Sequence, residues 1–254
     1  MIYDLLSVDR DAKTKKGKKW GFLTGALFLS PALEADGIHD LCGGRSEACT
    51  EACIYRTGHA EVYPSIIEAR KRKTLDYIEN FDAFVQRLSW DYDKLQRDAD
   101  NRGLKPAGRP NATSDQYKLG KAMAKRFPHM PWYDYTKLDR PWERALENYH
   151  LTFSFSGENY RQCENALDHG INVAVVFRGG LPKKWRGYRV IDGDKNDLRF
   201  RDPVGVVVGL KEKGRRIRQL PVGGFVQLGP KPQWSSVAVA TRQEVEAALK
   251  EAGR

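Results

Sequence analysis

Residues 149–177 read YHLTFSFSGENYRQCENALDHGINVAVVF. They contain two apolar runs, at 149–155 and 172–177, and a helical pattern over 158–169 lies between them. A strand, a helix and another strand in this order indicate a parallel pair, because the helix must carry the chain back across the sheet before the second strand begins. The stretch therefore predicts an α/β fold with a mostly parallel sheet.

The same alternation continues on both sides of this stretch. Further apolar or aromatic runs lie at 20–29, 104–108, 131–135 and 204–210, and further helical patterns lie at 115–126 and 141–147. Repeated strand–helix units favour a closed or curved sheet over a doubly wound one. We expect a full or partial (β/α) barrel, TIM-like, of about six mostly parallel strands, with a cysteine-containing loop near the amino end.

We expect one α/β domain over residues 1–254. Its parts are an N-terminal strand and cysteine loop (1–60), a helical pair (61–103), the strand–helix repeat (104–210), and turns, a hairpin and a C-terminal helix (211–254). Thr241, with Glu244 three residues later, is placed to cap that last helix.

Composition excludes several classes of protein and favours certain partners. With 41% apolar and 30% charged residues, the chain is neither disordered nor collagen-like. No apolar run approaches the roughly 20 residues that span a bilayer, and the start, Met1-Ile-Tyr-Asp4, lacks the pattern of a secretory signal, so we expect a cytoplasmic protein without a membrane partner. The net charge of +10 favours an anionic partner, such as a nucleotide, DNA or RNA. A basic enzyme without a polymer partner explains the charge equally well.

Polar side chains follow the ends of several predicted strands. In a parallel barrel, the loops after the strands form the active-site face. The strand at 149–155 also alternates, which places His150, Thr152, Ser154 and Ser156 on one face. The other interpretation is that these loops are polar because they cap helices. We take the candidate catalytic residues to be Arg109, Asn111, Ser114, Asp115, Lys137, Thr152, Ser154 and Arg178.

Three cysteines, Cys42, Cys49 and Cys53, lie in one glycine-containing loop. Three interpretations are open. The thiolates could hold an iron–sulfur cluster and leave one iron without a protein ligand, bind zinc with His59 as a fourth ligand, or be free or redox-active thiols. Cys163 lies in the helical pattern 158–169, where a buried small apolar residue is expected.

Four aspartates follow the run at 190–191. Clustered carboxylates can bind Mg²⁺ in a nuclease, whereas an Asp-Gly turn with exposed acids is the simpler interpretation and the one that we favour. The residues are Asp192, Asp194, Asp197 and Asp202.

Several stretches resemble the bacteriophage gene product 88 family over roughly residues 5–215. Among them are Gly21-Phe-Leu-Thr24, Cys49-Thr-Glu-Ala-Cys53, Asn111-Ala-Thr-Ser-Asp115 and Tyr133-Asp-Tyr-Thr-Lys137. The resemblance implies a phage-encoded protein that acts in the cytoplasm of the bacterial host, and it implies no particular activity.

A more distant resemblance is to radical S-adenosylmethionine barrel proteins. It rests on a loop with three cysteines followed by a strand–helix repeat, and on Gly205-x-Val207-x-Gly209, which looks like that superfamily's adenine-contact motif. It implies a 4Fe–4S cluster held by Cys42, Cys49 and Cys53, with S-adenosylmethionine as a possible further cofactor bound by the Gly205–Gly209 segment.

Two hypotheses about function follow. In the first, the chain is an iron–sulfur enzyme, similar to the radical S-adenosylmethionine type, which acts on an anionic nucleotide or nucleic-acid substrate. In the second, it is a zinc-stabilised nucleic-acid-binding protein without catalysis, and its basic stretches at 13–19, 70–73 and 211–218 contact phosphates.

Overall fold

The computed structural model describes residues 4–9, 12–56 and 59–230. Its strands are β1 (Leu6–Val8), β2 (Phe22–Leu27), β3 (Lys105–Arg109), β4 (Trp132–Thr136), β5 (Tyr149–Ser154), β6 (Val173–Arg178), β7 (Lys184–Trp185), β8 (Tyr188–Asp192), β9 (Val207–Lys211) and β10 (Val226–Leu228). Its helices are α1 (Ala12–Gly17), α2 (Glu47–Glu51), α3 (His59–Val62), α4 (Pro64–Glu79), α5 (Phe81–Asn101), α6 (Tyr117–Arg126), α7 (Tyr160–Asp168) and α8 (Arg215–Gln219). Among the described residues, no helix combines the length and the apolarity needed to cross a membrane.

The strands form one mostly parallel sheet. Its order is β1-β2-β3-β4-β5-β6-β9-β8-β7, and β10 pairs with β6 outside this path. Strands β2 to β6 are parallel neighbours in chain order, as a strand–helix repeat predicts. The mixed α/β class expected from the sequence is therefore confirmed.

The sheet is not closed, so the predicted TIM-like barrel is not confirmed. Strand β1 joins β2 in antiparallel pairing at one end of the path, and β7 joins β8 in antiparallel pairing at the other. Residues 188–192, where the sequence predicted no strand, form β8 and pair with β9. The late strands thus extend the sheet beyond β6 and do not return to β2.

Local differences from the sequence prediction have identifiable causes. The helix predicted at 141–147 is wrong: only a 3-10 turn forms, at Pro141–Glu143, and Leu146 then bridges back to Tyr149. Strand β2 begins at Phe22 because Gly21 takes a left-handed conformation with φ 80°. The segment predicted as turns and a hairpin contains α8 and β10, whereas the predicted C-terminal helix lies outside the described residues.

One face of the sheet packs against α5 and α6. Leu88, Tyr92 and Leu95 have helical spacing on α5, are 0% exposed and pack in the same apolar core as Trp132 of β4. The aromatic rings of Tyr92 and Trp132 meet edge to face at 4.5 Å. Gly108 of β3 allows this packing, because a Cβ atom there would lie 2.2 Å from the Trp132 ring.

The opposite face is covered by the segment between β8 and β9. Leu198 of this segment packs with Ala107 and Tyr133 of the sheet, and the Phe200 ring contacts that of Phe22 at 5.0 Å. Side chains on this face therefore meet a packed segment, and Arg109 of β3 forms a buried ion pair with Asp197 of that segment.

A thiol site at the carboxyl ends of the strands

The loop that carries the cysteines lies across the carboxyl ends of the parallel strands. The amide of Asp115, in the segment after β3, donates to the carbonyl of Leu41 at 2.8 Å. Beyond the end of β5, the hydroxyl of Ser46 donates to the carbonyl of Ser156, also at 2.8 Å. These bonds fix the loop at the edge of the sheet where ligands bind in parallel α/β folds.

Ser46 also positions Cys49. It is the N-cap of α2, and its Oγ accepts a 3.2 Å hydrogen bond from the Cys49 amide. The other end of α2 is held by Ala52, which packs with Ile217 and Val226 in a small buried cluster. The backbone of Cys49 is therefore held both by polar bonds to β5 and by apolar packing.

The loop packs tightly against the sheet at Gly44. A Cβ atom at this position would lie 2.6 Å from the carbonyl oxygen of Lys137, the first residue after β4. Any side chain at Gly44 would push the loop away from β4. The sequence thus specifies close contact between the cysteine loop and Lys137.

Lys137 interacts with all three loop cysteines. Its ammonium group interacts electrostatically with Cys49, Cys42 and Cys53. Burial opposes its positive charge, but the interactions with Cys49 and Asp115 more than offset that effect and raise the pKa of Lys137. Asp115 itself accepts a 2.7 Å hydrogen bond from the Lys137 amide. We call these five residues the thiol site.

Two of the thiols in the site are difficult to ionise. Burial raises the pKa of Cys42 to about 12, and the nearby Asp115 carboxylate adds to the shift. Burial also raises the pKa of Cys53, and the charge of Lys137 partly opposes that shift. Both side chains are therefore neutral thiols at pH 7 unless a bound cation draws off their protons.

The three thiols are chemically suitable ligands for a soft metal, but their side chains are not arranged to bind one in this structure. Thiolates are ligands of both iron–sulfur clusters and zinc. In the part of the chain that the structure describes, no group of three or more His, Cys, Asp or Glu side chains is arranged to hold a metal ion. The His59 side chain lies outside the described residues. Cys163, a residue of α7, is fully buried in the core, as predicted.

Asn111 and Ser114 have structural partners. The Asn111 amide nitrogen donates to Asp134 at 2.9 Å, and its backbone NH donates to the same carboxylate at 2.8 Å. The Ser114 hydroxyl donates to Asn111 Oδ1. The two residues thus fasten the loop after β3 to β4, and nothing in these contacts places them in the thiol site.

Arg109 lies on the face of the sheet that is covered by the segment between β8 and β9. Its guanidinium forms a buried ion pair with Asp197 and lies 5.1 Å from the centre of the Tyr135 ring. Burial opposes the charge of Arg109, but Asp197 and the neighbouring tyrosines raise its pKa. The ion pair ties the segment between β8 and β9 to β3.

The remaining predicted catalytic residues lie apart from one another. Thr152 lines a cavity at the amino ends of the strands. Ser154 is buried near the end of β5, where its carbonyl accepts from Asn159. Arg178 donates to the Glu212 carboxylate at 2.8 Å and to backbone carbonyls at the end of α8. Of the eight candidates, only Asp115 and Lys137 lie in the thiol site.

The proposed adenine-contact residues have packing reasons of their own. Gly205 adopts φ 68°, which favours glycine. A Cβ atom on Gly209 would lie 2.7 Å from Val190 on the adjacent strand. Val207 is buried in β9, which is separated from β4 by β5 and β6.

The four aspartates do not form a cation site. Asp194 pairs with Lys213, Asp197 with Arg109, and Asp202 with Arg199. Asp192 accepts a 2.9 Å hydrogen bond from the amide of Asp194, as in an Asx turn. The turn interpretation holds for Asp192, whereas the expectation of exposed acids is wrong for Asp197, which is buried in its ion pair.

Each predicted nucleic-acid-binding stretch uses at least one cation inside the protein. Lys16 donates to the carbonyl of Asp194 at 2.5 Å, and Lys73 donates to that of Leu5 at 2.7 Å. Arg70 donates to the Tyr55 carbonyl, and Lys213 pairs with Asp194. These internal bonds reduce the charge that the stretches could offer to phosphates.

Sequence reasoning missed the buried carboxyl of Asp134. Burial raises its pKa to about 7, although hydrogen bonds from Asn111 and Tyr149 act in the opposite direction. The available signal was an acid within the aromatic strand Trp132-Tyr-Asp-Tyr135, since a charged residue in a central strand needs buried partners.

An open, mostly parallel α/β sheet with a cysteine loop at its carboxyl edge defines the class of protein. The chain matches the family model described as gene product 88 over residues 5–222, and it therefore belongs to this family of phage gene products. No curated protein matches the chain, and no solved structure matches it. The resemblance to radical S-adenosylmethionine proteins is not supported.

Proposed function

We propose that the protein is an enzyme whose working centre is the thiol site, with Cys42, Cys49 and Cys53 as ligands of an iron–sulfur cluster. The observation that carries this proposal is that a loop with three cysteines is fastened across the carboxyl ends of the parallel strands, in contact with Lys137. In this proposal, β2 to β6 form the arc of a partial barrel, and the thiol site lies on its rim.

The position of the loop supports the proposal. Three independent contacts hold it against the sheet: Ser46 on the Ser156 carbonyl, Asp115 on the Leu41 carbonyl, and Gly44 against Lys137. A loop that was joined to the fold only through its two ends would lack these three contacts. Loading must draw the three sulfur atoms into an arrangement that can hold a metal, which they do not have here.

Lys137 gives the site a defined charge. A cluster bound by three thiolates is anionic, and a neighbouring ammonium group stabilises such a charge. The same ammonium group can also bind a carboxylate or phosphate of an anionic substrate. We therefore assign Lys137 to orientation of the substrate and to charge balance, and Asp115 to holding the Lys137 backbone in place. A bound cluster would supply the electron transfer that these side chains cannot supply.

No specific contact favours the alternative, a zinc-stabilised nucleic-acid-binding protein, because its basic stretches are partly committed inside the protein. The same experiment distinguishes the two. Protein purified without oxygen is analysed for iron, sulfide and zinc, and its absorbance is recorded. The iron–sulfur proposal predicts a brown protein with a broad band near 400 nm and about four irons per chain if the cluster is complete.

Matched cysteine variants give the control. Cys42→Ser, Cys49→Ser and Cys53→Ser should each lose most of the iron and the 400 nm band, whereas Cys163→Ser should keep both, because Cys163 is a buried residue of α7, outside the cysteine loop. Colourless protein, stoichiometric zinc, or iron retained in all three loop variants would overturn the proposal. Addition of S-adenosylmethionine to the reduced protein then tests that cofactor through a change in the electron paramagnetic resonance spectrum.

A further inference from the structure

A second candidate site lies at the amino ends of the strands, at the end of the sheet opposite the thiol site. A cavity of about 190 Å³ opens at the amino ends of β5 and β6. It is bounded by the start of β5, by residues 170–172 before β6, and by the segment that ends at Val204 before β9. We call it the amino-end cavity, and no contact described above links it to the thiol site.

Several polar groups in the amino-end cavity are not used by the fold. The His150 ring contacts the Phe200 ring at 6.0 Å, but within the described residues it makes no hydrogen bond. Thr152 is 2% exposed, and its hydroxyl likewise has no hydrogen-bond partner in that part of the chain. Buried polar groups without partners are costly unless a ligand or water satisfies them.

An incompletely satisfied ion pair adds to this set. Arg199 is 3% exposed, and its Nε lies 3.2 Å from Oδ2 of Asp202, but the two groups are not aligned for a hydrogen bond. Arg199 Nη1 also has no hydrogen-bond partner among the described residues. The Arg199 Nη2 atom is committed, because it donates to the carbonyl of Asn196. These Arg199 and Asp202 atoms are themselves buried from solvent, so the polar side chains that can meet an occupant of the cavity are those of His150 and Thr152.

The charges around the cavity cancel. Arg199 and Asp202 neutralise each other, and burial lowers the pKa of His150, which keeps its ring neutral at pH 7. A strongly charged ligand would gain no net attraction from these groups and would lose its hydration. Ala145, Leu151 and Ile171 contribute apolar wall, and Phe200 contributes an aromatic ring.

The volume limits the size of the occupant. An apolar cavity of roughly 150 Å³ accommodates benzene, so about 190 Å³ accommodates one substituted ring. We propose that the amino-end cavity binds a neutral, planar, single-ring molecule with both hydrogen-bond donors and acceptors, of the size of a pyrimidine base. Thr152 and His150 provide its polar contacts, and Phe200 provides an apolar wall.

The test uses the full chain and three named probes: uracil, cytosine and nicotinamide. Amide chemical shifts of the protein are followed by NMR during titration of each probe, with orthophosphate and benzoate as charged comparisons. We expect saturable shifts at residues 149–152 and 199–204 with at least one ring probe, and neither anion should compete. Thr152→Val keeps the shape of the side chain and removes the hydroxyl, so it should weaken binding by about 5- to 10-fold.

Cys49→Ser is the matched control, because it lies at the opposite edge and should leave binding of the probe unchanged. Failure of the iron–sulfur proposal therefore does not affect this result. The inference is overturned if no ring probe produces saturable shifts, if Thr152→Val binds as well as the unaltered protein, or if an anion displaces the bound ring.

Discussion

The hydroxyl of Tyr149 donates a 2.8 Å hydrogen bond to Oδ2 of Asp134 on the neighbouring strand, between the sheet and helix α6. Both residues are at most 2% exposed. The same Oδ2 accepts from the Asn111 side chain, so one carboxyl joins β4, β5 and the loop after β3. A buried acid with three donors is a point where stability should depend on pH and on exact packing.

Asp134 should make the protein less stable as pH rises. In the unfolded chain, its carboxyl ionises with a pKa near 3.8, whereas burial raises the native pKa to about 7. Between these values the native state holds the extra proton, so a rise in pH lowers the free energy of unfolding, by on the order of 4 kcal/mol over the full interval. Urea unfolding at pH 4.5 to 7.5 should show this fall relative to Asp134→Asn, in which the titration is absent.

Two further variants check the assignment to Asp134. Tyr149→Phe removes a donor that favours the charged carboxyl, so the fall in stability should continue to higher pH. Asp202 should cause a smaller fall in stability that ends at lower pH, because burial raises its pKa only to about 6. Asp202→Asn should remove that smaller part of the pH dependence. An identical pH dependence in Asp134→Asn and the unaltered protein would contradict the assignment.

Gly120 should not tolerate alanine, although alanine favours helices. A Cβ atom at this position in α6 would lie 2.0 Å from the Tyr149 hydroxyl oxygen. Overpacking of this kind costs about 1–3 kcal/mol, which exceeds the roughly 1 kcal/mol that alanine gains over glycine in a helix. Chemical denaturation should show lower stability for Gly120→Ala. The control is Lys125→Ala, an exposed site on the same helix, and a stabilised Gly120→Ala would show that Tyr149 can move freely.

The strands could be predicted because their signals are local. The runs at 149–155 and 172–177 fall on β5 and β6, since buried parallel strands are nearly continuous apolar segments. Strand β8 was missed because Tyr188-Arg-Val-Ile-Asp192 mixes polar and apolar residues at an edge of the sheet. Closure of the sheet also could not be predicted, because it depends on which edge the last strands join.

The candidate site was partly predictable for a similar reason. Cysteines near the carboxyl edge and Lys137 after β4 could be expected to meet, because the ends of parallel strands converge. Placing Arg109 and Asn111 in the site is wrong, because both are paired with residues remote in sequence that the local pattern does not show. Asp197 lies 88 residues from Arg109, and Asp134 lies 23 residues from Asn111. No local pattern indicates such a pairing.

The Arg109–Asp197 pair should be costly to break from one side. Asp197 is 6% exposed, and the Tyr133 hydroxyl lies 3.5 Å from its Oδ2. Asp197→Leu leaves the Arg109 charge buried without its partner, which typically costs about 3–5 kcal/mol. In the double variant with Arg109→Met, the protein should regain much of that loss, because no buried charge is left. Urea unfolding of the two single variants and the double variant gives the coupling energy, and additive effects would show that the pair is not coupled.

Arg178 should limit the mobility of residues 217–226. Ile217, Leu220 and Val226 of this segment pack on Ala52, at the end of helix α2, which carries Cys49. The Nη2 atom of Arg178 contacts the carbonyls of Ile217, Arg218 and Leu220 at 3.0–3.2 Å, and its Nε binds Glu212. Lysine has one donor centre and cannot satisfy these acceptors together. Arg178→Lys should therefore speed amide hydrogen exchange over residues 217–226, with a loss of overall stability of about 1 kcal/mol.

The thiol site provides a second readout for the same substitution. Ile217 and Leu220 pack on Ala52, next to Cys53, so a looser segment should expose that thiol and speed its labelling by maleimide in metal-free protein. The control is Arg186→Lys, because Arg186 forms an exposed ion pair with Glu164 and surface pairs contribute little. If Arg178→Lys leaves both hydrogen exchange and maleimide labelling unchanged, α8 is held by apolar packing alone. In that case Arg178 does not connect β6 to helix α2.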